Sequence, residues 1–499
     1  MKTVLGFVRL SAGALALTAG TAAILVAQGP PPGPQQTPPA AAVVPKGRAP
    51  VSSKVLEVKL PRPQEADLPN GVHVMVLEDR RAPQVTLQLS MRGAGGYYDP
   101  AEHAGLAQFT AANLREGTAT KSSTEIAEQL DRLSATLNVT AGMSSEDASI
   151  AASALTEHLD VVLDLMTDLL LNPSFPEQEF ARYKTQTRAQ LLQQRTIPGF
   201  LVQERFSIVI AGDHPDGRMA PTPAALEKTT RNDLVAFHRA RYVPDHAVIA
   251  IAGDISMADA MKKIQARFGG WKKTGSPVPT VSDPAVVAKP GIYLVERPNS
   301  VQTSLLVGVQ AIRRNDPDYF ALAVLNKVIG GGPTGRLFRN LREAKGYTYG
   351  ASSFLDAPRF RGTWGASTDV RTEVTEPALT DLLDELRQAR EVTIPAKEFA
   401  DAKRSMIAAF ALTLESPQAL LGNAITRYRF NLPADYWDRY PERINAITAA
   451  EAQTMAKKYL DPSRIQIVAV GNAEGVGRTL RKLGSVEVYD AEGRRITTY

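Results

Sequence analysis

The chain has 499 residues, 57 basic and 52 acidic, for a net charge of +5, and it has no cysteine. That length exceeds one ordinary domain. Mixed charge without like-charge blocks argues against nucleic-acid binding, and the missing cysteines exclude disulfides, thiolate metal sites and lipid modification at an N-terminal cysteine.

In chain order, Lys2 and Arg9 precede an apolar run from Leu10 to Ala27. A basic start before an apolar stretch is the form of a secretory signal, so residues 1–28 predict export to the periplasm. The run is near the length that spans a bilayer, and retention of residues 10–27 as an inner-membrane anchor stays open. That anchor is the only membrane contact expected. Residues 29–52 include GPPPGPQQTPPAAAVVPKGRAP, and proline at this density predicts an extended linker.

Next come elements with clear periods. Val85, Leu87, Leu89 and Met91 alternate and predict a strand. GLAQFTAANLREGTAT, Gly105 to Thr120, reads as a helix start followed by a Gly-Thr turn. In SSTEIAEQLDRLSATL, Ser122 and Glu125 predict a capping box, with Ile126, Leu130, Leu133 and Leu137 on one helix face. LDVVLDLMTDLLLNP predicts a helix stopped by Asn172-Pro173. The stretch from Gly269 to Gly291 has the Gly, Pro and Ser of a linker. Beyond it Thr303, Leu305, Val307 and Val309 again alternate. YFALAVLNKVI places Ala321, Val324, Leu325 and Val328 at helical spacing. The next residues, GGGPTG (Gly330–Gly335), fit G-x-G-x-x-G, but a dinucleotide site needs a strand before that motif. A turn ending the helix fits better.

Three short matches recur in the same order. PNGVHVMV answers KPGIYLVE at an offset of 220, PEQEFA answers PAKEFA at 219, and VIAIAGD answers QIVAVGN at 218. The folded part is therefore two similar halves. The predicted organisation is an N-terminal domain at 53–272, a linker at 273–290 and a C-terminal domain at 291–499. The fold class is α+β, with two homologous halves, each a mostly antiparallel sheet covered by helices.

From LPNGVHVMVLEDRRAPQVTLQLSMRGAGGYYDP and GLAQFTAANLREGT to GGGPTGRLFRNLREAKGYTYG, the chain resembles the pitrilysin/insulinase family of inverted-motif zinc peptidases. The likeness runs from about Lys54 to Val488 and is strongest to the short two-domain form. The resemblance implies that this chain forms half of a clamshell with a closed inner chamber. Active members carry H-x-x-E-H on the first helix and a further glutamate roughly seventy to eighty residues on. Here the five motif positions are Gln108, Phe109, Thr110, Ala111 and Ala112, and the distal stretch FARYKTQTRAQLLQQ has no carboxylate. A carboxamide and two methyl groups can neither hold zinc nor ionise water, so no metal or other cofactor is expected in this chain. Of its six histidines, none pair at i, i+4, and His103 falls on the loop entering the helix.

The second-half signature is kept. Arg342 and Tyr349 stand where the family's arginine and tyrosine stand, and the resemblance implies that they reach the zinc site of another domain. Hydrolysis of a peptide builds negative charge on the scissile carbonyl oxygen, to which a guanidinium and a phenol can donate. Tyr347 is a lesser candidate. Gly330, Gly331 and Gly332 are expected, by the same resemblance, to form a loop contacting peptide. The reading is a non-catalytic subunit of a zinc metallopeptidase, not a peptidase on its own. Its partner, in a heterodimer or a dimer of heterodimers, is a homologue bearing H-x-x-E-H and zinc, and its substrates are peptides. The competing reading is a non-enzymatic scaffold or peptide-binding protein of the same fold.

Overall fold

The matched repeats become matched strands. The computed structural model describes residues 56–275 and 277–499. The expected signal or anchor at 1–28 and the Pro-rich linker at 29–52 lie outside the described residues. The first sheet contains β1 (Gln64–Asp67), β2 (His73–Glu78), β3 (Gln84–Arg92), β4 (Thr136–Ala141), β5 (Asp147–Leu155) and β6 (Ala247–Gly253), in the order β1-β2-β6-β3-β5-β4. The second contains β7 (Gly291–Glu296), β8 (Gln302–Gln310), β9 (Thr348–Asp356), β10 (Thr363–Arg371), β11 (Gln466–Gly471), β12 (Val486–Tyr489) and β13 (Arg495–Thr498), in the order β13-β12-β7-β11-β8-β10-β9. Five strands repeat in one order, with β2-β6-β3-β5-β4 answering β7-β11-β8-β10-β9. The pairs β2/β6, β7/β11 and β7/β12 are parallel and the other pairings are antiparallel. The chain is thus α+β, two helix-covered and mostly antiparallel sheets.

One face of each sheet meets its own half's helices. Val85, Leu87, Leu89 and Met91 pack with Leu106, Phe109 and Leu114 in the first core, and Leu305, Val307 and Val309 pack with Val324, Leu325 and Val328 in the second. The other faces are covered by exchange. The helix Pro198–Ala211, from the first half, lays Leu201, Val202, Phe206 and Ile210 against Val295, Leu306, Val468 and Val470 of the second sheet. The helix Pro417–Arg429, from the second half, returns Leu420, Leu421 and Ala424 to Met75, Leu77, Val248 and Ala250 of the first. This exchange explains why β6 and β11 read as continuous apolar runs, since strands buried on both faces need no alternation. It also joins the described residues into one compact unit. Gly308 of β8 makes the contact fit, because a Cβ there would lie 2.5 Å from Cζ of Phe206.

The capping box forms as expected. Ser122 accepts from the Glu125 amide, and the Glu125 carboxylate accepts from the Ser122 amide. Leu137 is a correction. The helix spans Ser123–Arg132, Ser134 turns with φ of 49°, and Leu137 lies on β4. Its side chain still reaches the core of Ile126 and Leu130, which is why a helical spacing could include it. Asn172-Pro173 does end the helix Leu159–Leu171. No helix among the described residues is long and apolar enough to cross a membrane.

Candidate functional site

The first-half site is built on the helix Leu106–Asn113. Its start is fixed from a distance, since Asp99 accepts from the Gly105 amide at 2.8 Å and from the Ala107 amide at 2.9 Å. Burial pushes the Asp99 carboxyl up to about 6, against the pull of those two N–H donors. Leu106, Phe109, Ala111 and Leu114 are buried, so the frame is retained as core. Gln108 and Ala112 lie one helical turn apart and are half-buried.

Opposite stands the helix Glu177–Gln194, which holds the distal segment. There the Tyr183 ring meets Phe109 edge-on at 5.9 Å, and its hydroxyl faces Thr187 and Gln108. Burial raises the Tyr183 hydroxyl above its ordinary value, which keeps it a neutral phenol. Neutral amide, phenol and hydroxyl groups stand where the family's charged ligand set would be. Such groups are poor zinc ligands, since zinc sites use imidazole, thiolate or carboxylate. The residues present do not fit the family's metal. Among the described residues no group of three or more His, Asp or Glu is placed to hold a metal ion. His103 bonds Thr229 Oγ1 at 3.1 Å from the short turn before the helix.

The second-half site gathers at the edge strand β9. The helix Tyr319–Gly330 runs directly into the glycines, so no strand precedes G-x-G-x-x-G. Gly330 is buried, and a Cβ on it would lie 2.3 Å from the Ser353 amide nitrogen of β9. Gly331 is held by Lys327, whose Nζ donates to its carbonyl, and Gly332 takes φ of 109°. The three glycines therefore let a helix end abut the sheet edge. Residues Phe338–Ala344 form a π-helical turn. The Tyr347 amide closes that turn on the Leu341 carbonyl at 2.9 Å, and the chain then enters β9.

Arg342 projects from this turn with its guanidinium 4.7 Å from the Phe338 ring centroid. It has no ion-pair partner among the described residues, whereas its neighbours Arg336 and Arg339 both bind Glu398. Tyr349 is the second residue of β9 and is 91% exposed. Tyr347 is half-buried against the second core. Arg342, Tyr349 and the glycine turn thus share one edge of the second half. No hydrogen bond, ion pair or ring contact among the described residues links Arg342 or Tyr349 to Gln108, Ala111 or Ala112.

The sequence reading missed Asp99, Tyr183, Thr187 and Phe338. Phe338 stands four residues before Arg342, a spacing that brings side chains together on a helix and was open to reading. Asp99 is too far ahead of the helix to be recognised as a cap. Tyr183 and Thr187 had no visible link to Gln108.

A duplicated α+β core whose first-helix frame carries a carboxamide and methyl groups has the build of a metallopeptidase-type chain with no zinc ligand at those motif positions. Residues 74–207 match the model for insulinase (peptidase family M16), and residues 228–406 match that for the peptidase M16 inactive domain. The chain belongs to this pitrilysin/insulinase family as a two-domain member. It is 26% identical over 355 residues to the uncharacterised zinc protease YmxG of Bacillus subtilis strain 168, covering 70% of this chain and 83% of that one. It is 27% identical over 424 residues to the uncharacterised zinc protease Rv2782c of Mycobacterium tuberculosis strain H37Rv, covering 84% and 95%. Its fold superposes on the crystal structure of a peptidase M16 inactive domain from Pseudomonas fluorescens with a TM-score of 0.76, at 27% identity and covering 82% and 98%.

Proposed function

We propose that this chain is the non-catalytic subunit of a heterodimeric zinc peptidase, exported to the periplasm, and that it supplies Arg342 and Tyr349 to the active site of a partner bearing H-x-x-E-H. The observation that carries this reading is the pair's condition. Tyr349 stands almost fully exposed on an edge strand, and the turn packed on that strand carries Arg342, which has no carboxylate partner among the described residues. A tyrosine that served only packing would be covered, and a surface arginine at no task would be free to find a neighbouring acid. Both groups donate hydrogen bonds, and both suit an oxygen that gains negative charge as a peptide carbonyl is attacked. The partner would bring the metal and the base, and this chain would bring those donors and half the chamber wall. The edge of β9 would also offer peptide unpaired backbone groups.

The test is peptide cleavage by the two chains together, with Arg342→Ala and Tyr349→Phe made in this one. Each is expected to lower kcat by about a hundredfold to a thousandfold, the range for loss of one oxyanion donor, with partner affinity unchanged. Unchanged cleavage would remove the mechanism and leave the scaffold or peptide-binding reading.

A further inference from the structure

The seam between the halves holds a cavity of about 380 Å³ whose walls are unusually rich in arginine. Arg92 comes from the end of β3, Arg359 from the turn joining β9 to β10, and Arg427 and Arg429 from the end of the helix Pro417–Arg429. The first belongs to one half and the other three to the second. Beneath them lies Glu146, only 4% exposed. Nε of Arg359 donates to both its oxygens at 3.1 and 3.0 Å, and Arg429 and Arg92 each approach it at 3.5 Å. Asp147 faces Arg429 at 3.4 Å, and Arg427 is paired with Glu65. Four guanidinium groups thus share three carboxylates, and three of the four draw on Glu146.

The donors outnumber the acceptors. Nε of Arg429 and Nε of Arg92 are buried with no hydrogen-bond partner among the described residues, against one such acceptor at the cavity, Asp147 Oδ1. Burial also raises the Asp147 carboxyl above its ordinary value, against the opposing pull of Arg429. Planar guanidinium forks are the donors best matched to phosphate and carboxylate. A cluster that served only to join the halves would pair its charges one to one and fill the space between them.

From this we infer that the seam is a binding site for a small multivalent oxyanion, carrying phosphate or carboxylate groups, which bridges Arg92 of the first half to Arg359 and Arg429 of the second. The inference does not depend on the partner-subunit reading. Binding would brace the two halves and raise the thermal stability of the whole chain.

The test is calorimetric titration of the purified protein with inorganic phosphate and, separately, with citrate, at constant ionic strength set by chloride. Saturable binding of either anion, with a matching rise in melting temperature, is expected, and the anion that binds tells phosphate from carboxylate chemistry. Arg92→Gln should weaken that binding at least tenfold. If Arg92→Gln does not fold, Asn431→Asp, an exposed residue that also lines the cavity, should weaken binding in the same direction. Absence of saturable binding by both anions would overturn the inference, as would binding unaffected by the substitution in a folded variant.

Discussion

Phe206→Ala should destabilise the half of the molecule to which Phe206 does not belong in sequence. Its ring is buried on the second sheet, over Gly308 and beside Leu306, Val468 and Val470. Deleting a buried phenylalanine side chain costs about 3–5 kcal/mol, from lost transfer energy and the cavity left behind. Domain stabilities of about 5–15 kcal/mol make that a large fraction of the total. The vacated space lies between the helix Pro198–Ala211 and the strands β8 and β11, so the cost falls on both. Hydrogen exchange read by mass spectrometry in mild urea separates the halves. The expected result is faster exchange across β8 and β11 as well as across the helix, together with an earlier urea midpoint. Faster exchange confined to the first half, with β8 and β11 as protected as before, would refute the argument that exchanged helices hold the halves as one unit.

Asp99 gives a pH signature. Its folded value of about 6 lies above the ordinary 3.8, so the folded state binds the proton more tightly. The stability it contributes is fully present at low pH, falls as pH rises from about 4 to about 6 by at most ~3 kcal/mol, and is level above that. Asp99→Asn should remove this fall, so urea midpoints at pH 4.5 and pH 7 should differ less in the variant than in the parent chain. Gly330→Ala would drive a methyl group into the Ser353 amide of β9. It should cost about 1–3 kcal/mol, read as a lower urea midpoint. Restoring two histidines by Gln108→His with Ala112→His should not restore a zinc site, because the facing helix has no carboxylate from Phe180 to Gln194, and its first-turn Glu179 is already paired with Arg182. Metal analysis after dialysis should then give well under one zinc per chain, and one retained zinc would contradict this reading of the site.

The duplicated architecture was legible because strand pairs leave local marks. The matches at β2/β7 and β6/β11 gave the repeat, and alternation marked the inner faces of β3 and β8. Helix exchange was not legible, since no period in FLVQERFSIVI says which sheet it covers. Leu137 was assigned to a helix because four apolar residues kept helical spacing past a left-handed serine. At the site, residue identities could be read for donor chemistry, since Gln108, Ala111 and Ala112 offer no imidazole, thiolate or carboxylate. The exposure of Tyr349, the stacking of Arg342 on Phe338 and the arginine-lined seam depend on contacts between distant segments, which spacing alone does not encode.

The central claim is that the chain works with a metal-bearing partner. Gentle purification of the native chain from cell envelopes, followed by mass spectrometry and metal analysis of the isolated species, tests it most directly. The account predicts one stoichiometric companion carrying H-x-x-E-H, with zinc following that companion. Recovery of the chain alone, or only with unrelated membrane complexes, would contradict it.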